Sequence, residues 1–339
     1  MKKRIGVIGC GHWGKNYVRV FNEIDGSVVL GAFDSDAEKV AALGKKYPAM
    51  KTYASARDLF ADGDIDAVVI STPATTHHQL VKQALAAGKP VLVEKPMTVD
   101  LEESEELQRS AAAAGSVLMV GHTFIYNNVI RRMKELMREP GFGKVYCLYA
   151  DRTHLGLIRD DVNAVWDLAA HDVSIFMYLL DQSPRWVSAV GSSFLKAGRE
   201  DLGFITLMFS NGVAANIRVS WLDANKVRQL VVVGSGARLV FDDLNNLEKL
   251  RIFEKGISVE RPVDSFGEFQ YQLRDGSIVS PNLVLSEPLK VQCQHFIDCL
   301  NGKCRPLTDG RSGADVVRVM CAIEQSIKHN GKPVEVSNA

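Results

Sequence analysis

The stretch RIGVIGCGHWG, Arg4 to Gly14, decides how the first third of this chain folds. Ile5 to Ile8 is the short apolar run expected of a strand buried on both faces, and it breaks at a glycine. Gly9, Gly11 and Gly14 then fit G-x-G-x-x-G, with Cys10, His12 and Trp13 between them. The motif is weak alone, but here it follows a strand and opens a helix running from about Trp13 to Ile24. Each glycine then has its own reason: Gly9 for a tight turn, Gly11 for backbone approach to a pyrophosphate, Gly14 for close helix–strand packing. The helix N-terminus, with His12 and Trp13 on it, would turn its N–H groups toward phosphate. Asp34 ends the second strand, 20 residues after Gly14. An acid there accepts hydrogen bonds from a ribose 2′-OH and repels a 2′-phosphate, which favours NAD over NADP, although Arg19 or Lys39 could soften the preference.

Outward from this unit the alternation continues. SVVLGAFD, a helix over Ala37–Lys46, IDAVVIST, a helical HHQLVKQALAAG, PVLVEKP, a helix over Leu101–Ala114 and VLMVGH follow in turn. Val/Ile/Leu-rich strands separated by helices predict a doubly wound parallel sheet covered on both faces, closing near residue 121. The middle changes character. FITLMFSNGVAANIRVSWL reads as two strands about an Asn-Gly turn, and RQLVVVGSGARLVFDD and LRIFEKGISVE repeat the strand–turn–strand pattern. Antiparallel pairing is therefore expected from Val145 to Glu260, with a helix inserted near 165–180, before a helical tail. The expected architecture is α/β: a Rossmann domain over residues 1–121, then an α+β domain with an open sheet over 122–339. The C-terminal helix is expected to pack back on the first domain.

The 339 residues are 46% hydrophobic and 24% charged, with 40 basic and 40 acidic side chains, so no basic surface advertises nucleic acid or anionic membrane. Six scattered cysteines without a CxxC pair read as reduced thiols. The N-terminus reads as a strand and not a signal peptide, and no apolar run reaches the roughly 18 residues of a membrane span, so a cytoplasmic protein is expected.

Two further stretches carry chemistry. Glu94-Lys95-Pro96 follows a parallel strand, whose carboxyl end faces the ligand crevice of such sheets; Lys95 could there hydrogen-bond a substrate hydroxyl. VWDLAAHDVSIFMYLL, Val165 to Leu180, reads as a helix apolar almost all round. On its 3.6-residue period Asp167, His171, Ser174 and Tyr178 form one polar stripe. A histidine, with an ordinary pKa of roughly 6.5, suits a base for a hydroxyl proton, and a carboxylate one turn away suits its tautomer and its imidazolium. Lys95 could stabilise the alkoxide or be the base itself. His77-His78 lacks further ligands at metal spacing, and no metal site is expected.

GVIGCGHWG, VVISTPATTHH, VLVEKP and WDLAAHD, in this order, resemble the Gfo/Idh/MocA family of NAD(P)-dependent oxidoreductases, and the resemblance spans nearly the whole chain. It implies a mixed, mostly antiparallel second sheet whose outer face makes homo-oligomer contacts, as dimer or tetramer. It implies that Lys95 is the family's Glu-Lys-Pro lysine and that Asp167 and His171 are its D-x-x-x-H pair. Thr72, Pro73, His77 and Glu94 would join Lys95 near the cofactor, with His77 by the nicotinamide ribose. Ala74 stands where the family often has Asn. GHTFIYNNVIRRMKELM and DRTHLGLIRDDVNAVWDLAAHD resemble a branch that oxidises the C3 hydroxyl of UDP-N-acetylglucosamine or its uronic acid. On that resemblance Tyr126, Asn127, Arg159 and Asn163 would face a UDP-sugar, with His171. Arg159 beside Asp160 and Asp161 also reads as a loop ion pair, and Tyr126-Asn127 as a helix cap with a packed ring. A free sugar or inositol dehydrogenase, a hydrolase holding NAD, and a non-catalytic NAD(H) sensor are the alternatives.

Overall fold

The computed structural model describes residues 2–156, 158–259 and 271–336. Its first strand, β1 (Lys3–Ile8), turns at Gly9 into α1 (His12–Glu23). There follow β2 (Ser27–Phe33), α2 (Ala37–Lys46), β3 (Lys51–Thr52), α3 (Ala56–Ala61), β4 (Ala67–Ile70), α4 (His77–Ala86), β5 (Val91–Glu94), α5 (Leu101–Ala113) and β6 (Leu118–Gly121). Helix starts are set by short polar side chains: Asp36, Ser55 and Asp100 each accept a first-turn N–H of the helix they precede. Among the described residues the six strands lie in the order β3-β2-β1-β4-β5-β6, all parallel. Every residue of β4, β5 and β6 is buried, as a sheet covered on both faces requires. The strand order reverses between β1 and β4, so the loops after these strands flank a switch point, where open α/β sheets bind ligands.

The chain divides into two compact units. The first is residues 1–127 with 286–321, so α8 (Pro288–Leu300) belongs to it; Phe296 of α8 meets Phe21 of α1 edge-on at 6.3 Å. The second is residues 128–285 with 322–339, and the boundary falls inside α9 (Gly310–Lys328).

The second unit carries α6 (Asn128–Arg138), β7 (Val145–Leu155), a π-helical turn at Val165–Ala169, α7 (Ala170–Leu180), β8 (Pro184–Ser192), β9 (Leu202–Phe209) and β10 (Ala214–Ser220). Beyond these lie β11 (Leu222–Gly234), β12 (Arg238–Asp242), β13 (Leu250–Phe253), β14 (Gly256–Val259), β15 (Tyr271–Arg274), β16 (Ile278–Val279) and β17 (Val334–Glu335). The nine-stranded sheet seen among the described residues runs β16-β13-β12-β11-β7-β10-β9-β8-β17. It is mixed: β7 and β10 are parallel, and the other neighbours are antiparallel. The Asn-Gly hairpin forms as its sequence implies, with Met208 opposite Ala214 and Gly212 at φ +81°. LRIF and GISV do not form the hairpin their sequence suggests. β13 pairs with β12 and β16, while β14 pairs with β15 in a separate ribbon. Two strands joined by only Glu254 and Lys255 thus diverge because each finds a longer-range partner. Glu260, the end of that quoted stretch, lies outside the described residues. Among the described residues no helix is long and apolar enough to cross a membrane.

Candidate active site

The glycine loop can be tested atom by atom. A Cβ on Gly14 would lie 1.8 Å from the Gly9 carbonyl oxygen, so α1 could not approach the turn with any side chain there. Gly9 sits at φ +88°, and a Cβ on it would be 2.6 Å from the Ser71 carbonyl oxygen. Gly11 differs: a Cβ there would meet nothing within 4 Å. No internal packing demands glycine at 11, and a ligand's close approach does. Ser71 at the end of β4 latches the loop through its hydroxyl, 2.8 Å from the Gly9 carbonyl. Gly11 caps α1 without a side-chain hydrogen bond, which leaves the helix start suited to an anion. His12 and Trp13 stand exposed on that first turn, edge to face at 5.5 Å. The residues present therefore fit a dinucleotide. Asp34, half-buried at the end of β2, accepts the Cys10 N–H at 2.6 Å and the Asp36 N–H at 2.9 Å, so it orders the loop as well as presenting charge beside it. Burial, then the Asp34 carboxylate, pushes the Cys10 thiol up to about 12, which makes it an inert packing group.

At the ends of β4 and β5, His77 is buried with one ring nitrogen 2.8 Å from the Pro96 carbonyl and the other 2.9 Å from the Thr72 carbonyl. The imidazole bridges the Thr72-Pro73 turn to the segment after Lys95, whose peptide to Pro96 is cis. Lys95 and Glu94 are themselves buried. Glu94 accepts the Tyr17 hydroxyl at 2.6 Å and the Lys95 backbone N–H at 3.1 Å, and the Gln292 amide donates to the same hydroxyl at 3.0 Å. Burial first and the Glu94 charge second hold the Tyr17 phenol far above its ordinary range. Tyr17 and Gln292 escaped the sequence reading because nothing local connects α1, β5 and α8. His122 escaped too. It follows β6, is 2% exposed, and neither ring nitrogen meets a hydrogen-bond partner among the described residues. Burial, reinforced by the Lys95 charge, lowers it to about 3, so it is neutral wherever the protein works.

In the second unit Asp167 lies in the π-helical turn and His171 in the first turn of α7, both half-buried. A π-turn adds a residue to the helical repeat and is common at functional positions. Asn163 starts it: its side-chain oxygen accepts the Trp166 N–H at 2.9 Å and its backbone carbonyl accepts the Asp167 N–H at 2.9 Å. The Asn163 amide donates to Glu200 at 2.5 Å. Arg159 grips Asp161 with two hydrogen bonds, at 2.9 and 2.6 Å, and reaches Asp167 at 3.1 Å. Burial opposes the Arg159 charge, but these carboxylates hold it above its ordinary value. The acidic partners are thus Asp161 and Asp167, whereas Asp160 pairs with Arg199.

The polar stripe expected on this helix stops at His171. Ser174 is buried and returns its hydroxyl to the His171 carbonyl at 2.7 Å, as hydroxyls in apolar helices do. Tyr178 lies under the Lys134 ammonium, 4.0 Å from the ring centre. A residue the stripe argument did not single out, Asp172, is 1% exposed and takes a bidentate grip from buried Arg152 on β7, at 2.9 and 2.7 Å. That pair fixes the helix beside His171 to the sheet. In the first unit Tyr126 is wholly enclosed, its hydroxyl 3.0 Å from that of Thr308, and Asn127 is 8% exposed. The enclosed ring agrees with the alternative reading of Tyr126 as a packed side chain.

Residues 3–122 match the family described as "Oxidoreductase family, NAD-binding Rossmann fold", and residues 130–240 match the "GFO/IDH/MocA C-terminal domain". A UDP-N-acetylglucosamine 3-dehydrogenase of Acidithiobacillus ferrooxidans is 27% identical, over 96% of this chain and 97% of that protein. Its solved structure superposes with a TM-score of 0.80 at 25% identity, covering 97% and 99% of the two chains. An inositol 2-dehydrogenase of Rhodococcus erythropolis is 30% identical, over 73% of this chain and 74% of that protein. With its glycine loop, parallel sheet and mixed second sheet, the chain belongs to the Gfo/Idh/MocA family of NAD-binding oxidoreductases.

Proposed function

We propose that the protein oxidises a secondary hydroxyl of a sugar to a ketone with NAD, and that its substrate is UDP-N-acetylglucosamine, oxidised at C3. The observation that carries the nucleotide-sugar reading is Arg159, whose guanidinium lies 3.1 Å from Asp167. A free sugar offers such a cation only neutral hydroxyl oxygens, whereas a pyrophosphate offers paired anionic ones. The full-length similarity to a UDP-N-acetylglucosamine 3-dehydrogenase supports the same reading.

The loop Gly9–Gly14, with His12 and Trp13 on the helix start, would cradle the NAD pyrophosphate. Asp34 would take the adenosine ribose hydroxyls, and Thr72, Pro73, His77 and Glu94 would shape the nicotinamide end. When bound, NAD supplies the acceptor for the hydride leaving C3. His171 serves as base for the hydroxyl proton, Asp167 orients it and stabilises the imidazolium, and Lys95 stabilises the developing alkoxide and shares the relay. Alcohol and NAD⁺ become ketone, NADH and a proton. Asn127 and Arg159 assist substrate binding, while Asn163 acts by shaping the turn that carries Asp167. The open sheet face, where paired Val190 and Phe204 are 50% and 49% exposed, is the surface by which copies associate.

The test is NADH absorbance on mixing protein and NAD with UDP-N-acetylglucosamine, its uronic acid, free N-acetylglucosamine and myo-inositol. A 2-oxo acid in a parallel set turns over NADH that stays bound. Turnover with the UDP-sugar, reduced about 10²–10⁴-fold in His171→Ala and Lys95→Ala, is expected. Activity with free sugars alone would sink the nucleotide-sugar substrate and favour the reading that the inositol 2-dehydrogenase relative suggests.

A further inference from the structure

At the C-terminal end of α8 three side chains converge, with the His295 ring 5.4 Å from that of Tyr126. His295 and Cys299 lie one turn apart on the helix, and Cys304 returns from the turn that follows. The Cys299 and Cys304 sulfurs are 3.5 Å apart, and the Cys304 sulfur is 3.7 Å from His295 Nδ1. Cys299 is 5% exposed and Cys304 is exposed, so one sulfur is accessible and the other sheltered directly behind it.

Two chemistries suit such a group: a bound soft metal ion, or thiol–disulfide exchange. The tautomer of His295 separates them. The Leu307 backbone N–H donates to His295 Nε2 at 3.1 Å, so Nε2 carries the lone pair and Nδ1 carries the proton. A metal between the two sulfurs and Nδ1 would need the Nδ1 lone pair. A protonated Nδ1 instead points a hydrogen bond at the Cys304 sulfur. The turn also has room to close. Asn301 to Arg305 are exposed, and Gly302 sits at φ +71° with nothing near the position of a Cβ, so a shift of about 1.5 Å to disulfide bonding distance need not disturb the core.

We propose that Cys304 and Cys299 are a peroxide-sensitive thiol pair that closes to a reversible disulfide, with His295 assisting the first step. The Cys304 thiolate attacks hydrogen peroxide: an S–O bond forms, the O–O bond breaks, and the departing hydroxide takes a proton and leaves as water. The Cys299 sulfur then attacks the sulfenic acid, forming S–S and breaking S–O, and the released hydroxide leaves as a second water with the Cys299 proton. Two thiols and one peroxide become a disulfide and two waters. Burial, and the neighbouring Cys304, push the Cys299 thiol up to about 12, in keeping with its role as the second sulfur. The inference is independent of the substrate proposed above. Cys10 and Cys293, both wholly buried, take no part.

The experiment exposes the full-length protein to hydrogen peroxide, blocks remaining thiols by alkylation and maps peptides without reduction. Trypsin should yield Val291–Lys303 joined to Cys304–Arg311, 2 Da below the sum of the free peptides, with fragmentation assigning the link to Cys299 and not Cys293. Dithiothreitol should restore both thiols. His295→Ala should form the same link several-fold more slowly. Recovery of Cys304 as sulfinic acid or unmodified, with Cys299 still free, would overturn the proposal. So would stoichiometric binding of Zn²⁺ alone to the reduced protein that Cys304→Ser abolishes, since that assigns the cluster to a metal.

Discussion

In residues 1–127 with 286–321, the groups proposed to face a ligand are held by backbone: a glycine turn latched by Ser71, and loop carbonyls bridged by His77. In residues 128–285 with 322–339, the corresponding groups are held by charge. Asp167 is gripped by Arg159, and the helix bearing His171 is anchored by Arg152 and Asp172. A backbone scaffold fails by steric overlap, and a charge scaffold fails when one partner is left buried alone. The difference teaches where each unit is fragile.

The largest effect should come from the charge scaffold. Asp172→Asn removes the bidentate partner of the buried Arg152, leaving it the neighbouring Asp243 and Asp167 charges, and should cost about 3–5 kcal/mol in urea unfolding; a loss below 1 kcal/mol would show that the pair is not a strut. Gly14→Ala, with a backbone oxygen 1.8 Å from the new carbon, should cost about 3 kcal/mol, the upper end of ordinary overpacking. Acid should reveal the third effect. In the unfolded chain His122 titrates near 6.5, but in the fold only at about 3. Between those values the unfolded state binds the extra proton, so stability is full above roughly 6.5 and falls as the pH drops. From pH 6.5 to 5 this amounts to about 2 kcal/mol. His122→Leu should flatten the curve by that amount, and an unchanged slope would refute the assignment. The smallest effect sharpens the comparison most. Gly11→Ala meets nothing within 4 Å and should leave the melting temperature unchanged. It should nevertheless weaken NAD about tenfold, or about 1.4 kcal/mol, in a fluorescence titration. Equal loss of stability in the two glycine variants would erase the distinction between packing and ligand-facing glycines.

How legible each part was follows from the range of the interactions. The alternation of the first 121 residues and the Asn-Gly hairpin are written in local periodicity and turn chemistry, and the structure reproduces them. α3 escaped the sequence reading: Ser55 accepts the Asp58 N–H at its start, but its six residues are too few for a period to stand out. The π-turn at Val165–Ala169 has no such signature; an apolar helix with Asp167 and His171 four apart looks regular until Asn163 is seen at its start. The partner of the Tyr126 hydroxyl, Thr308, was not legible because it lies 182 residues away. Arg152–Asp172 and Tyr17–Gln292 were hidden for the same reason. Residues of the right chemistry can be named from a sequence, but their partners come from the fold.

The discontinuity of the first unit bears on how the protein is made. Gln292 reaches back 275 residues to Tyr17, and Thr308 reaches back 188 to Val120. A ribosome extending the chain at about 5–20 residues per second finishes Asn127 roughly ten to thirty seconds before it reaches Gln292. Throughout that interval the nascent Rossmann sheet has no α8 to cover Phe21, and the second unit is synthesised while the first is still incomplete. The apolar face of α1 that awaits α8 therefore stays uncovered until the last fifth of the chain is made.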